Sequence, residues 1–359
     1  MDYQEVVPRP LLAPCSSGGV AKQGEENQQL SWLYNNDGKP RIWKLRAHYK
    51  NKPIDYQELI KAFDIYVSYN EYIILEKKIY NQSTGELEKS EKIAVKTIKR
   101  GNDKWKKKLK RKLFSLEDPI KQELSKHHST SNILFVTFTI DPKVFSLEEA
   151  WKEINNYFNR GITNLRNKYG QLAYAKVLEA HASGYPHIHA LIWLREKSFE
   201  IAKWKNKSDG KLTWRVKNKI ERKRIKSCWK MGFTDIQVVY GQRGVSSYLE
   251  KMFNYISKDI IDQAKTKLNE EQLNQLLSEL SKQKQKIYLG LALSSLFNKH
   301  SFGLSQKLLP IARLDSVKNN SNFFGQLLGS ENAKFLVIWE FVELVSEKEL
   351  LSYGSIKIA

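Results

Sequence analysis

Between residues 133 and 260 the hydrophobic pattern changes period several times. ILFVTFTI, 133–140, is a run of β-branched and aromatic residues closed by Asp141 and Pro142, and it predicts a short buried strand. Ser146 followed by Glu149 has the form of a capping box. Leu147, Ala150, Trp151, Ile154, Tyr157, Phe158, Ile162 and Leu165 then recur on one broad helical face. QLAYAKVLEAH (171–181), the tight turn ASGYP and HIHALIWL (187–194) read as a β-hairpin. FTDIQVVY (233–240) predicts another strand, and a helix is expected from Val245 to about Ile260. The order is strand, helix, strand, strand, basic helical insert, strand, helix. An α+β fold satisfies it, with a central antiparallel sheet and helices packed on one side.

The flanks are less regular. Residues 1–30, rich in Pro, Ser, Gly and Gln, read as a flexible lead-in. Residues 31–125 form an accessory basic α/β region in which FDIYVSYNEYIILEKKIY suggests strands or a mixed α/β stretch. The polar stretch KQELSKHHSTSN (121–132) marks a boundary, so a central domain is expected over 128–262. Residues 265–359 read as a mostly helical accessory region, with Leu268, Leu273, Leu276, Leu277 and Leu280 spaced as on an amphipathic helix. Within it KFLVIWEFVELV (334–345) is too apolar to stand exposed.

Charge adds a partner to this outline. The 359 residues carry 60 Lys plus Arg against 39 Asp plus Glu, a formal +21, which favours a polyanion. Two blocks, 96–112 and 203–230, hold +19 of it. Lys106, Lys107, Lys108 and Arg111 in the first are candidate phosphate contacts. So are Lys203, Lys205, Lys207, Arg215 and Lys217 in the second, followed by Lys219, Arg222, Lys223 and Arg224. Trp204, Trp214 and Trp229 interleave with these cations, and an aromatic such as Trp214 can stack on an unpaired base. Cys15 and Cys228 form no disulfide framework or thiolate metal site by spacing, and no apolar run suggests a signal peptide or membrane span. A cytoplasmic protein is expected. No GxxxxGK[ST] loop is present, so no nucleotide cofactor is expected.

Two constellations carry chemistry. Glu179, His181, His187 and His189 sit on the two strands of the hairpin. Residues two apart on a strand share a face, so up to four donors could converge on one point. A mixed set of imidazole and carboxylate suits Mg²⁺ or Mn²⁺, and also Zn²⁺, with positions left open for a phosphate oxygen. The second is SSYLEKMFNYISKDI (246–260). There Lys251 and Lys258 flank Tyr255 at helical spacing, and Tyr248 lies two turns before it as an alternative nucleophile. A phenol with an ordinary pKa of about 10 attacks phosphorus only when a cation, metal or base stabilises the phenolate.

FVTFT (135–139), PHIHAL (186–191) and YISKD (255–259) together resemble, in order and spacing, the three motifs of the HUH endonuclease superfamily. Within it they are most similar to rolling-circle replication initiators of plasmids and viruses. The resemblance implies a ferredoxin- or RRM-like nuclease domain with the tyrosine helix beneath the histidine strand. His187 and His189 would be metal ligands, with Glu179 or His181 as the third. Tyr255 would be the nucleophile and Lys258 its basic neighbour. It further implies nicking of single-stranded origin DNA through a 5′-phosphotyrosine, and release of a 3′-hydroxyl primer for a host helicase and polymerase. Position 251 is Lys where some members carry a second tyrosine or a glutamate, and Glu250 is one place off, so the termination step stays open. Transposases and conjugative relaxases share this chemistry. A non-catalytic nucleic-acid-binding module is the alternative outside catalysis.

Overall fold

The computed structural model describes residues 28–205, 210, 212–257, 270–308, 335–353 and 356–358. After a 3-10 turn at Gln28–Leu33 come α1 (Ile42–His48), α2 (Tyr56–Ser68), the hairpin β1 (Glu71–Asn81) and β2 (Leu87–Lys96), then α3 (Asp103–Phe114) and α4 (Glu117–Leu124). The central part runs β3 (Thr130–Ser131), β4 (Ile133–Thr139), α5 (Leu147–Tyr169), β5 (Leu172–Ala180) and β6 (Pro186–Leu194). It continues with β7 (Phe199–Lys205), β8 (Leu212–Val216), α6 (Lys219–Lys226), β9 (Thr234–Val238) and α7 (Gly241–Ser257). The C-terminal part supplies α8 (Glu270–Leu296), β10 (Phe302–Leu304), β11 (Phe335–Ser346), α9 (Glu347–Leu350) and β12 (Lys357–Ile358). The class is α+β. Most of the flexible lead-in expected at 1–30 lies outside the described residues.

Five strands in the order β10-β5-β6-β4-β9 make the central sheet, and every pair in it is antiparallel. Helices cover both of its faces, not one as the element order suggested. Leu134, Val136, Phe138, Ile188, Ala190 and Ile192 pack with Trp151, Ile154 and Phe158 of α5. Ile133, Phe135, Leu191 and Trp193 pack on the other side with Leu109 and Leu113 of α3 and Val245, Leu249 and Met252 of α7. The reason is visible in the strands. β4 and β6 are apolar at consecutive positions, and a single helical layer would leave one face wet.

Three further expectations change. FDIYVS is the end of a helix, because Asp55 caps α2 through the Gln57 and Glu58 amides and Leu59, Ala62, Phe63 and Val67 are buried at helical spacing. The first half of the basic insert is the β7–β8 hairpin, which forms a small sheet with β3; only α6 is helical. The C-terminal region is not mostly helical: β11 and β12 flank the β1–β2 hairpin in a four-stranded sheet. KFLVIWEFVELV is correspondingly only partly covered, with Val345 buried but Phe341 66% exposed.

The flanking segments share the core of the central part. Leu33, Leu45, Leu59 and Phe63 belong to one apolar cluster with α5 and with Ala292 and Leu293 of α8. Polar bonds reinforce it: Arg46 Nε donates to the Ser295 carbonyl (2.9 Å) and Arg100 to Ser294 Oγ (3.0 Å). Buried Glu71 is shared by Lys99 (2.8 Å) and Arg41 (2.7 Å). Among the described residues no helix is long and apolar enough to cross a membrane.

Candidate functional site

Strand register builds one row of polar groups on the α7 side of the sheet. Thr139 of β4, His187 of β6 and Glu179 of β5 lie opposite one another, and in the next row so do Asp235, Thr137, His189 and Val177. These rows continue the positions occupied by Ile133, Phe135, Leu191 and Trp193, so the face is apolar at one end and polar at the other. Glu179 reaches diagonally: its Oε2 accepts from His189 Nε2 at 2.8 Å. His189 Nδ1 meets Thr137 Oγ1 at 3.0 Å, and His187 Nδ1 meets Thr139 Oγ1 at 3.5 Å. His181 lies in the turn beyond β5, bonded through Nδ1 to Ser183 Oγ (3.1 Å), and its ring stacks on His187 at 5.2 Å.

Burial sets the charge states. It holds His187 down at about 4, assisted by His189 and His181, and it also holds His189 below the usual imidazole range. Burial alone would raise the Glu179 carboxyl, but the His189 hydrogen bond and Lys286 outweigh it and keep it ionised. Both strand imidazoles are therefore neutral near pH 7, the form that ligates metals. As donors these residues fit a divalent ion. Each histidine rests its Nδ1 edge on a threonine hydroxyl, which leaves the Nε2 edge for a ligand, and an ionised carboxylate is adjacent. The three are not drawn around one point: Glu179 is engaged by His189 and Lys286, and among the described residues no group of three His, Cys, Asp or Glu forms a ready cage.

Helix α7 lies over this face because Val245, Leu249, Met252, Phe253 and Ile256 form its buried stripe. Its two tyrosines have different surroundings. Tyr248 packs on Phe135 (4.8 Å between centroids) and donates its hydroxyl to Gln237 Oε1 at 2.9 Å. Gln237 in turn donates to Asp235 Oδ2 (2.8 Å), whose other oxygen takes the Arg215 guanidinium. Tyr255 stacks its ring on His189, 3.8 Å between centroids and 8° from parallel, and its hydroxyl has no hydrogen-bond partner among the described residues. Burial first, then Glu179, Asp235 and Tyr248, raise its pKa above the ordinary phenol value. Lys251 lies 5.2 Å over the Phe135 ring, and Lys258 falls outside the described residues.

The basic blocks occupy different borders of the site. α3 packs directly on α7 through Leu109 and Leu113. Lys107, Lys108 and Arg111 are exposed, whereas Lys106 folds back towards Asp103 (3.8 Å). In the second block Lys203, Lys205, Lys219 and Lys223 are exposed, and Lys207 falls outside the described residues. Lys217 pairs with Glu200 (3.2 Å) and Arg224 with Glu221 (3.0 Å). Arg215 and Arg222 turn inward, Arg222 donating to the Val216 carbonyl at 2.5 Å. Trp204 is 52% exposed beside Arg222. Trp214 packs on Tyr240, and Trp229 is core, donating to the Thr139 carbonyl at 2.9 Å.

Sequence reasoning missed Thr137, Thr139, Asp235, Gln237 and Lys286. The two threonines had a signal, since they repeat at the period of the two histidines they face; Lys286 lies in a polar helical stretch with none. Residues 133–260 match the model of a family described as replication-associated protein ORF2, a segment that spans β4 through α7. That segment is similar to replication-associated proteins. No curated protein and no solved structure matches the chain.

Proposed function

We propose that the chain initiates rolling-circle replication by metal-dependent nicking and rejoining of single-stranded DNA. The observation that carries this reading is Tyr255, whose ring lies flat on His189 while its hydroxyl is left without a partner among the described residues. Attack of that oxygen on a phosphodiester forms the Tyr255 O–P bond and breaks the P–O3′ bond. The phenol proton passes, in net terms, to the departing 3′ oxygen. The products are a 5′-phosphotyrosine and a free 3′-hydroxyl, and the bond energy is conserved for a later transfer without a nucleotide cofactor. Mg²⁺ or Mn²⁺, with Zn²⁺ as an alternative, would be held by His187, His189 and Glu179 and would polarise the scissile phosphate.

The chain's own groups prepare that step. Thr137 and Thr139 orient the imidazoles, and the apolar packing of α7 sets Tyr255 above them. The raised phenol pKa means Tyr255 stays protonated until substrate and cation assemble, which limits idle reactivity. Exposed cations on α3 and on the β7–β8 hairpin would hold the strand by its phosphates, and Trp204 would offer a base a stacking partner. The family match favours replication over transposition or conjugative transfer.

The test is a labelled single-stranded origin oligonucleotide incubated with the protein and Mn²⁺. A covalent adduct mapping by peptide mass to Tyr255, and lost in the His187→Ala, His189→Ala double variant while DNA binding remains, is expected. An adduct on another residue, or no cleavage of any strand with any divalent ion, refutes the reading.

A further inference from the structure

Helix α8 lies outside the segment that matches the replication-associated family, yet it touches the site. It crosses β5 at Gly290, where an added Cβ would meet the Ala180 amide nitrogen at 3.1 Å and the Ala180 Cβ at 3.6 Å. The bare backbone is what permits the approach. One turn earlier, on the same side of the helix, Lys286 Nζ reaches Glu179 Oε1 at 2.7 Å. The helix is held in that position by Arg46 and Arg100, which bond to Ser294 and Ser295 near its C-terminus, and by the edge-to-face contact of Tyr288 with Phe63. Glu179 is buried, whereas the Lys286 side chain keeps 44% of its exposure.

We propose that Lys286 is a further residue of the site: it neutralises Glu179 in the metal-free protein and passes to a phosphate oxygen of the substrate strand when a divalent ion takes the carboxylate. This rests on the metal-dependent reading above. A second cation at Glu179 is repelled by the ammonium and competes with it for the same charge, so the two cannot hold the carboxylate equally well. The ammonium sits on a flexible four-carbon stem with access to solvent and can turn from Glu179 to an arriving phosphate. Because the anion it gains replaces the one it gives up, metal and strand each strengthen the binding of the other, and by equal factors.

The experiment uses the full chain carrying Tyr255→Phe, so that no strand is cut, with Lys286→Met or Lys286→Arg added. Electron paramagnetic resonance reads Mn²⁺ binding without DNA, and fluorescence anisotropy reads a single-stranded oligonucleotide in EDTA and in Mn²⁺. Lys286→Met should bind Mn²⁺ about three- to tenfold tighter. It should also lose most of the gain in oligonucleotide affinity that Mn²⁺ gives the parent, and Lys286→Arg should restore that gain. If Lys286→Met fails to fold, Lys286→Gln is read the same way. Unchanged or weaker Mn²⁺ binding, or a full retained gain, overturns the role of Lys286 and leaves metal-dependent nicking standing. A parent protein that binds no Mn²⁺ overturns both.

Discussion

Replacing each tyrosine of α7 by phenylalanine should separate stability from chemistry in opposite directions. In Tyr248→Phe the hydroxyl that donates to Gln237 Oε1 is lost, and Gln237 still has to hold Asp235. A net hydrogen bond is worth about 1 kcal/mol, and the half-buried Gln237 oxygen can recover part of its hydration, so a loss of about 1 kcal/mol is expected. Tyr255→Phe removes a hydroxyl with no partner among the described residues and keeps the ring on His189, so its stability should lie within about 0.5 kcal/mol of wild type or above it. Urea unfolding followed by tryptophan fluorescence measures both, with equal slopes required for the comparison. Adduct formation should run the other way, retained in Tyr248→Phe and abolished in Tyr255→Phe. A Tyr255→Phe protein destabilised by more than about 1 kcal/mol, or a Tyr248→Phe protein that forms no adduct, would falsify the division of roles.

Two further outcomes follow from the electrostatics. His187 in the folded protein titrates at about 4, below the unfolded value of about 6.5, so on acidification the unfolded chain takes up this proton first. Its contribution to stability is complete above about pH 6.5 and is lost as the pH falls towards 4; His187→Gln should flatten that part of a metal-free stability profile, and an unchanged slope refutes it. Replacing exposed Lys107, Lys108 and Arg111 by Gln should reduce the salt slope of single-strand binding by about 2, from about 0.7 per phosphate contact. Arg215→Gln should leave that slope unchanged and lower stability instead, because its guanidinium is bound to Asp235 and the Ile236 carbonyl.

The sheet and the site rows were legible because their periods are short. Two-residue alternation alone puts Glu179, His187 and His189 on one face, and the long apolar stripe of α5 needs only helical spacing. What stayed hidden depends on contacts between distant segments. Tyr248 and Tyr255 look equivalent on a helical wheel, and only the positions of Gln237 and His189 on neighbouring strands distinguish them. Arg215 reads as a surface cation until β8 is laid beside β9 and its side chain meets Asp235. The helical reading of the basic insert failed because lysine and arginine suit an exposed hairpin as well as a helix. Gly210, with φ +66°, is the one described residue in that loop whose backbone demands a turn.

The placement of α8 also sets an order of events during synthesis. Arg46 and Ser295 are 249 residues apart, so the N-terminal helices must wait for nearly the whole chain before their last partner is made. The central sheet and the tyrosine helix leave the ribosome earlier, with Glu179 still lacking Lys286 and one flank of β5 bare. Such long-range closure is slow and leaves apolar surface open in the interval. A nascent chain would therefore hold its tyrosine and histidines in place before it had the cation that tempers Glu179, and maturation of the site would coincide with docking of its C-terminal helix.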